Sequence, residues 1–283
     1  MSGVVYVDGR YCPAHEASIS VFDRGFLFGD AVYEVIPVYS SRPFALEKHL
    51  LRLESSLAKA RIPYPSCDWD AIFQELIRQN GGGDLQIYLQ ITRGNQGVRK
   101  HDIPAGIAPV VIAFTLHNPY PVFAEQQKGL KAKLVEDIRW QRCDIKTTSL
   151  LGNILVNDEA VSRGYHTALL IRDGFITEGS ASNLFIVDRD GQVKTPPLNQ
   201  YCLPGITREI CLDLLSKTDF AFSEEPLPVQ TVLSAREVWI TSTTKELYPV
   251  TRIDETVIGD GVGGPCWRQL HERYQQLTGK TYD

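Results

Sequence analysis

The sequence lacks any long apolar run, and this absence argues against a membrane-spanning segment. A transmembrane helix needs about 18 or more consecutive apolar residues, and the 283 residues contain no such stretch. The N-terminus, MSGVVYVDGRYCP, has no basic segment followed by an apolar core, so we expect no secretory signal. The chain also lacks a basic run and any interleaving of basic with aromatic residues. We therefore expect neither nucleic acid nor a membrane surface as a partner.

Cysteine is scarce, and its spacing argues against the common uses of paired thiols. The sequence contains 6 cysteines, and no two of them form a CxxC pair. Zinc sites and redox dithiols are typically built from such close pairs, so we expect no metal site. Isolated thiols are typical of proteins in a reducing compartment, and we expect a cytoplasmic protein.

The overall composition is that of an ordinary globular enzyme. Hydrophobic residues make up 43% and charged residues 22%, and the formal net charge is -5. The length favours about two domains with a large core. Residues 1–116 read as an α+β domain with an antiparallel sheet. Residues 117–127 contain two prolines and no periodicity, and we interpret them as a linker to a larger domain at 128–283.

Local patterns predict several elements around polar side chains. The segment AVYEVIPVY predicts a strand at 31–39, in which Pro37 cannot donate a hydrogen bond to a neighbour and should mark an edge or a bulge. The segment at 47–62 predicts a helix that carries Arg52. The segment GITREICLDLLSKT predicts a helix at 205–218 that begins after a glycine.

A lysine in the segment RWQRCDIKTTSLLGN raises the central question. Lys146 precedes three hydroxyl residues and shows neither a helical nor an alternating pattern. A solvated surface lysine is the ordinary interpretation. The alternative is a partly desolvated amine that attacks a carbonyl group. The segment alone does not decide between them.

Other segments have the residue types that bind a charged ligand. Glu178 lies in TEGSASNLF, where small residues permit close approach of a ligand to the backbone. Ile206 and Thr207 begin a predicted helix, and free amides at a helix N-terminus favour phosphate. A basic loop at 92–102, TRGNQGVRKHD, could bind a carboxylate. Each signal has an ordinary alternative: an exposed turn, a plain helix start or a solvated loop.

Taken together, six ordered segments resemble the class IV aminotransferases, pyridoxal-phosphate enzymes of the D-alanine and branched-chain transaminase type. The segments are VFDRGFLFGDAVYEV, HLLRLE, DIRWQRCDIKTTSLLGN, TEGSASNLF, GITRE and TSTTKE. The resemblance covers nearly the whole chain. It implies an α+β, two-domain fold of fold type IV, with a small N-terminal α/β domain and a larger, β-barrel-like C-terminal domain that carries helices. It also implies a homodimer and the cofactor pyridoxal 5'-phosphate.

The resemblance assigns roles to individual residues. It implies that Lys146 is the catalytic lysine, which bonds the cofactor carbonyl and moves the substrate α-proton. It implies that Glu178 pairs with the pyridine nitrogen and keeps it protonated. The remaining implied roles are phosphate binding by Arg52, the amides of Ile206 and Thr207 and the Thr243 hydroxyl, packing of Leu203 against the ring, and binding of the substrate carboxylate by Tyr33, Arg99 and His101.

Within this family, the segment DIRWQRCDIK and the spacing of Arg99 and His101 most resemble D-amino-acid transaminases. We therefore expect transfer of the amino group of D-alanine or a similar D-amino acid to 2-oxoglutarate or pyruvate, by a ping-pong aldimine mechanism. A branched-chain L-amino-acid aminotransferase and an aminodeoxychorismate lyase are alternatives within the same fold. A non-enzymatic binding protein is a third, and the joint presence of Lys146, Glu178 and Arg52 argues against it.

Overall fold

The computed structural model of the protein describes residues 3–280, which form two compact units. Unit 1 comprises the described residues up to Pro119 together with Ile145–Leu150. Unit 2 comprises Tyr120–Asp144 and the described residues from Leu151 onwards. The short segment that contains Lys146 therefore belongs to unit 1, although the chain on both sides of it belongs to unit 2. The domain and linker limits expected from the sequence remain a proposal.

Unit 1 contains one antiparallel sheet and two longer helices. Its elements are β1 (Val4–Val7), β2 (Arg10–Pro13), α1 (Arg24–Phe28), β3 (Ala31–Tyr39), β4 (Arg42–Pro43), α2 (Leu46–Ala60), α3 (Trp69–Gln79), β5 (Leu85–Thr92) and β6 (Val110–Leu116). The strand order is β2-β1-β6-β5-β3-β4. Apolar side chains of α2 and α3, among them Leu53, Leu57 and Phe73, pack in one core with β3 and β5 residues such as Ile36 and Leu89. Burial of these apolar side chains stabilises the unit.

The strand β3 accommodates Pro37 without a bulge. β3 pairs with β5 in continuous register from Ala31 to Val38. The Pro37 carbonyl accepts a hydrogen bond from the Phe44 amide, on the side of β3 that faces β4. The nitrogen of a strand residue points to the same side as its carbonyl, so the missing N–H costs the β5 ladder nothing. The sequence predicts an edge or a bulge at Pro37. The structure shows an edge along most of β3, since β4 pairs only with the end of this strand.

Unit 2 contains a larger mixed sheet with helices. Its elements are α4 (Phe123–Gln126), β7 (Leu130–Glu136), α5 (Leu151–Val161), β8 (Thr167–Arg172), β9 (Phe175–Gly179), β10 (Asn183–Val187), β11 (Val193–Thr195), α6 (Ile206–Leu215), β12 (Phe222–Glu224), β13 (Leu227–Pro228), α7 (Val229–Leu233), β14 (Glu237–Ser242), β15 (Glu246–Ile253), β16 (Thr256–Val257) and α8 (Pro265–Thr278). The main strand order is β12-β11-β10-β14-β15-β7-β8-β9-β13, and β16 pairs with β15.

Two Asp-Gly pairs that lie between β-rich segments predict hairpin turns, and the structure forms both. Asp8 and Gly9 join β1 to β2 with φ of 45° and 93°, and Asp173 and Gly174 join β8 to β9 with φ of 51° and 82°. A two-residue turn with positive φ at both positions matches the right-handed twist of paired strands, which is why Asp-Gly is favoured there.

The helices of residues 3–280 include none that is both long enough and apolar enough to cross a bilayer. The longest of them, α2, has 15 residues.

Candidate active site

Lys146 lies beside the open edge of β3 in unit 1. Its carbonyl accepts a hydrogen bond of 2.9 Å from the Tyr33 amide. Its own amide donates to the Ser56 hydroxyl of α2 at 3.3 Å. The Lys146 ammonium nitrogen lies 4.2 Å from the centroid of the Tyr33 ring. The sheet therefore fixes the backbone of this lysine, and the aromatic ring lies against its amine.

The three hydroxyl residues after Lys146 attach the segment to the start of β3. Thr147 donates to the Ala31 carbonyl at 3.1 Å. Thr148 and Ser149 both donate to the Gly29 carbonyl, at 3.2 Å and 3.1 Å. Each hydroxyl thus adds a hydrogen bond to a backbone carbonyl near the start of β3. The run of threonine and serine thus has a structural function: it holds the lysine in place without regular secondary structure.

A buried carboxylate lies between β3 and α2. Glu34 is fully buried and accepts two hydrogen bonds from Arg52, at 2.8 Å and 2.7 Å, and one contact of 2.7 Å from His49 Nδ1. Burial on its own would raise the pKa of Glu34, but the Arg52 guanidinium and His49 lower it to about 2. Burial also lowers the pKa of His49. An ionised Glu34 can only accept, so a neutral His49 must carry its proton on Nδ1.

Arg52 is the residue predicted to bind the cofactor phosphate. Two of its five N–H donors are directed at Glu34, and the side chain is 7% exposed. This pair holds the plane of the guanidinium fixed, which is a requirement for bidentate recognition of an anion. The phosphate-binding role of Arg52 remains a proposal.

The predicted carboxylate-binding residues of unit 1 lie on β3 and in the loop after β5. The guanidinium of Arg99 lies 5.4 Å from the Phe28 ring centroid, and the His101 ring lies 5.3 Å from the same centroid. Both side chains are exposed. Tyr33 stacks on Tyr88 with ring centroids 5.6 Å apart. The structure therefore places Arg99 and His101 together, and their substrate role remains a proposal.

In unit 2, Glu178 lies near the end of β9. Its side chain is 5% exposed, and Arg139 donates to one oxygen at 2.6 Å. The amide of Leu203 donates to the other oxygen at 3.0 Å. Burial raises the pKa of Glu178, and Arg139 opposes this effect. Arg139 divides its donors, because its fork binds Asp137 at 2.9 Å and 3.0 Å.

The helix α6 begins with amides that no side chain caps. Gly205 is its N-cap residue, and Ile206 and Thr207 are the first helical residues. A Cβ atom at position 205 would overlap Asn183 Oδ1, so only glycine fits. Asn183 also donates to the Leu203 carbonyl at 2.8 Å, which fixes the segment that leads into the helix. The N-terminus of α6 is thus a positively polarised group of amides, as the sequence predicted.

Hydroxyl groups without partners lie on β14 of unit 2 and just before its neighbour β10. Thr241 on β14 pairs with Asn183 on β10, directly after Ser182. The side-chain oxygens of Thr241 and Ser182 are buried and have no hydrogen-bond partner within residues 3–280. Thr243, the predicted phosphate ligand, lies in the turn that follows β14. Buried hydroxyls without partners are costly unless a ligand satisfies them.

Sequence patterns did not reveal the charged partners of the candidate residues. Glu34 and His49 occupy positions that read as the buried faces of a strand and a helix, and Arg139 stood in a charged segment without a distinguishing pattern. The one available signal was the presence of polar residues on the buried face of α2. This face includes His49, Arg52 and Ser56 between apolar residues.

Comparisons with known proteins identify the family of the chain. The profile of the family described as amino-transferase class IV matches residues 31–253. The D-alanine aminotransferase of Bacillus licheniformis is 38% identical over 273 residues, which cover 96% of this chain and 95% of that protein. The D-alanine aminotransferase of Staphylococcus haemolyticus is 37% identical over 275 residues, which cover 96% of each.

Solved structures show the same fold. The branched-chain amino acid aminotransferase of Escherichia coli has a TM-score of 0.91 at 27% identity and covers 100% of this chain and 97% of its own. The T.th. branched-chain amino acid aminotransferase, solved with N-(5'-phosphopyridoxyl)-L-glutamate, has a TM-score of 0.89 at 25% identity, with coverage of 99% and 96%. The fold class expected from the sequence, α+β of fold type IV, is confirmed.

The family match and the curated relatives define an aminotransferase that depends on pyridoxal 5'-phosphate. The chain belongs to the class IV aminotransferase family.

The residues of the chain fit this cofactor. A phosphate ester needs donors, and unit 2 supplies the uncapped amides of α6 and the unpartnered hydroxyls of Ser182 and Thr241. A protonated ring nitrogen needs an anion. The two oxygens of Glu178 have about four acceptor sites, of which the Arg139 and Leu203 donors described above occupy two. An aldehyde needs an amine, and Lys146 supplies one in unit 1.

Proposed function

We propose that the protein is a D-amino-acid transaminase that transfers the amino group of D-alanine, or of a similar D-amino acid, to 2-oxoglutarate or pyruvate. One observation carries the proposal: D-alanine aminotransferases are 34–38% identical over 95–96% of this chain, while the branched-chain aminotransferases of similar fold are 25–27% identical. We also propose that the protein is cytoplasmic.

The residues of unit 1 would select a substrate with a carboxylate. A carboxylate that leaves water needs positive charge and hydrogen-bond donors. Arg99, His101 and the Tyr33 hydroxyl supply both kinds of group. The exposed positions of Arg99 and His101 in the loop leave their donors accessible to a small anion.

The proton transfer is assigned to Lys146. The bound cofactor supplies a ring that withdraws electrons from the substrate α-carbon. Lys146 Nζ would accept the α-proton and return it to the cofactor carbon. Glu178 would hold the proton on the ring nitrogen, and Leu203 would pack against the ring. Arg52, the amides of Ile206 and Thr207, and the Thr243 hydroxyl would hold the phosphate.

The stereochemical preference for D- or L-amino acids depends on where the substrate carboxylate binds. The α-proton must point to Lys146 for transfer to occur. If Arg99 and His101 hold the carboxylate, a D-amino acid presents its proton to the amine and an L-amino acid presents its side chain. The specificity for D-amino acids therefore depends on the loop that carries these two residues.

A branched-chain L-amino-acid aminotransferase is the second candidate, because solved structures with that activity have TM-scores up to 0.91. In that enzyme Arg99 would be a dispensable loop residue. The putative 4-amino-4-deoxychorismate lyase of Legionella pneumophila has a TM-score of 0.83 at 22% identity, which supports the shared fold alone.

Substrate profiling distinguishes these activities. D-alanine, L-alanine, D-glutamate and L-leucine are supplied separately with 2-oxoglutarate or pyruvate, and the oxo acids formed are measured. We expect D-alanine to be the better donor. Arg99→Ala should raise the KM for D-alanine steeply and leave the cofactor bound, while the neighbouring Lys100→Ala serves as the matched control. Faster consumption of L-leucine, with Arg99→Ala unchanged, would exclude the D-specific function and leave the cofactor assignment intact.

We propose that the protein is a homodimer. Leu151, Ile154 and Leu155 are adjacent on α5 and are 68%, 60% and 50% exposed. Contiguous apolar surface of this kind is typical of an interface. Sedimentation should give a dimer, and Ile154→Lys should weaken it, whereas Glu159→Lys on the same helix serves as a charge control. A wild-type monomer at micromolar concentration would contradict the proposal.

A further inference from the structure

Arg24 in unit 1 is a buried arginine whose donors are directed at a loop. It is the first residue of α1 and is 4% exposed. Its guanidinium donates to three consecutive backbone carbonyls: Lys100 at 2.7 Å, His101 at 3.2 Å and Asp102 at 3.2 Å. A planar group with five fixed donors can bind three carbonyls only when the loop has one definite shape.

Further contacts hold the same loop. Arg24 also donates to the side chain of Gln96 at 3.0 Å, and Gln96 in turn donates to the carbonyls of Val98 and Lys100, at 2.7 Å and 2.8 Å. At the base of the loop the Arg24 amide donates to the Gly94 carbonyl at 3.0 Å. Gly94 has a φ of 108° and packs directly against the Ala108 carbonyl. The loop is therefore fixed at its base and at its far end by one residue.

The guanidinium of Arg24 is itself held by Asp30 at 2.7 Å. The same carboxylate binds Arg93, at 2.7 Å and 2.9 Å. Burial would raise the pKa of Asp30, and the two arginines lower it. Arg93 directs its other donors at the carbonyls of Ala60 and Arg61, away from the loop. The two arginines thus share one anion and are comparably buried, but of the two only Arg24 donates to the carbonyls of residues 100–102.

The side chains that this loop presents are Arg99 and His101. Phe28, at the end of α1, lies below both of them, and the guanidinium of Arg24 lies 4.9 Å from the same ring. The backbone between and beyond these two residues is held by Arg24, and their side chains pack on the helix that Arg24 begins. Displacement of Arg24 would therefore move both side chains together.

We propose that Arg24 is a positioning residue for substrate recognition: it fixes the backbone at 96–102 so that Arg99 and His101 hold the substrate carboxylate. This inference rests on the proposed function, which assigns Arg99 and His101 to the carboxylate. Arg24 acts through these residues and is not assigned any contact with the reacting atoms. A binding site preorganised in this way loses less conformational entropy when the ligand binds.

The test compares Arg24→Gln with Arg93→Gln in the cofactor-loaded enzyme. Each substitution removes one of the two cationic partners of Asp30. Arg93→Gln also removes the hydrogen bonds to Ala60 and Arg61, but it leaves every donor to the carbonyls of residues 100–102 in place. Arg24→Lys keeps the charge beside Asp30 but cannot bind three carbonyls. This variant replaces Arg24→Gln in the test if Arg24→Gln does not fold. Two readouts are taken: trypsin cleavage after Arg99 and Lys100, and the KM and kcat for D-alanine and for pyruvate.

We expect the Arg24 variants to be cleaved faster in the loop and to raise the KM for both substrates roughly tenfold to a hundredfold, as for loss of hydrogen bonds to a charged group. Their kcat and cofactor content should change little, and Arg93→Gln should leave the KM near that of the wild type. Unchanged cleavage would overturn the role of Arg24 in holding the loop. Faster cleavage with an unchanged KM would instead overturn the assignment of the carboxylate to Arg99 and His101. An equal rise in KM for Arg93→Gln would reduce Arg24 to a stability residue and overturn the proposal.

Discussion

Two buried carboxylates, one in each unit, have opposite ionisation behaviour. Glu34 in unit 1 has its pKa lowered to about 2, whereas burial raises the pKa of Glu178 in unit 2. Both have an arginine partner at hydrogen-bond distance, at 2.7 Å and 2.6 Å. An arginine beside a buried glutamate therefore does not by itself decide how firmly the charge is held.

The difference lies in how the arginine is shared. Arg52 directs two donors at Glu34, and His49 adds a third contact. Arg139 directs its fork at Asp137 and only one donor at Glu178. A buried charge is stable only when its partner is close and its lone pairs are satisfied. Glu34 meets this condition within the protein. Glu178 does so only partly, which is consistent with its proposed pairing with a protonated ring nitrogen.

Lys146→Ala is the reference for the variants of the two carboxylates, because it removes the amine and leaves both carboxylates intact. We expect transamination to fall more than about a thousandfold, since no other group is assigned to the α-proton. The circular dichroism spectrum should not change, and added methylamine should restore part of the activity. Turnover by this variant at the wild-type rate would show that the lysine was wrongly assigned.

Glu34→Gln should lower the free energy of unfolding by about 3 kcal/mol, because it removes the anion that faces the buried charge of Arg52. The folded-state pKa of Glu34 lies below its ordinary value of 4.5, so its contribution is complete above pH 4.5 and is lost as the pH falls toward 2. Urea unfolding at several pH values should therefore show the two proteins converging over that range. A constant difference between them would contradict the ionised state of Glu34.

Glu178→Gln should slow the first half-reaction in stopped-flow measurements by roughly 10–150-fold, as for loss of one charge-assisted hydrogen bond. The cofactor should remain bound through its phosphate contacts. Stability should change less than in Glu34→Gln, because burial already disfavours the charge of Glu178. Glu178→Asp, which keeps the charge, is the control. An unchanged half-reaction would remove the role assigned to this carboxylate.

Arg139→Gln removes the cation that partly compensates the charge of Glu178. We expect it to have the smallest effect on activity of these variants. Without the cation, the pKa of Glu178 rises further, so the carboxyl keeps its proton to higher pH. The acid limb of the kcat/KM profile should therefore move to higher pH, and activity on that limb should fall roughly tenfold for each pKa unit moved. Arg142→Gln is the matched control, since Arg142 is exposed and pairs with Asp144. Identical profiles for the two variants would contradict coupling between Arg139 and Glu178.

Local patterns were sufficient for most of the fold. The alternation of AVYEVIPVY predicts β3, the segment LQIYLQIT predicts β5, and two Asp-Gly pairs predict hairpins. These signals depend on neighbouring residues only. The segment NILVNDEAVSRG predicts a helix after Lys146, and in the structure this helix begins two residues earlier, at Leu151. The resemblance to a known family supplied the candidate residues Lys146 and Glu178.

The partners of these residues could not be predicted, because they are distant in the chain. Arg139 and Glu178 are separated by 39 positions, and Arg24 and His101 by 77. Such contacts depend on sheet order, which no local pattern encodes. The buried face of α2 carries His49 and Arg52, which do not fit a simple apolar stripe. The structure shows that both contact the carboxylate of Glu34.

The attachment of Lys146 to β3 has a consequence for biosynthesis. The hydroxyl of Thr147 and the carbonyl of Ala31 that it binds are 116 positions apart. A ribosome that has released residues 1–119 has made the whole sheet of unit 1 but not the segment that covers the start of β3. An uncovered strand edge favours pairing with other chains. We therefore expect that a nascent chain truncated after Pro119 is prone to aggregation, and that unit 1 expressed alone needs residues 145–150 supplied as a fused peptide.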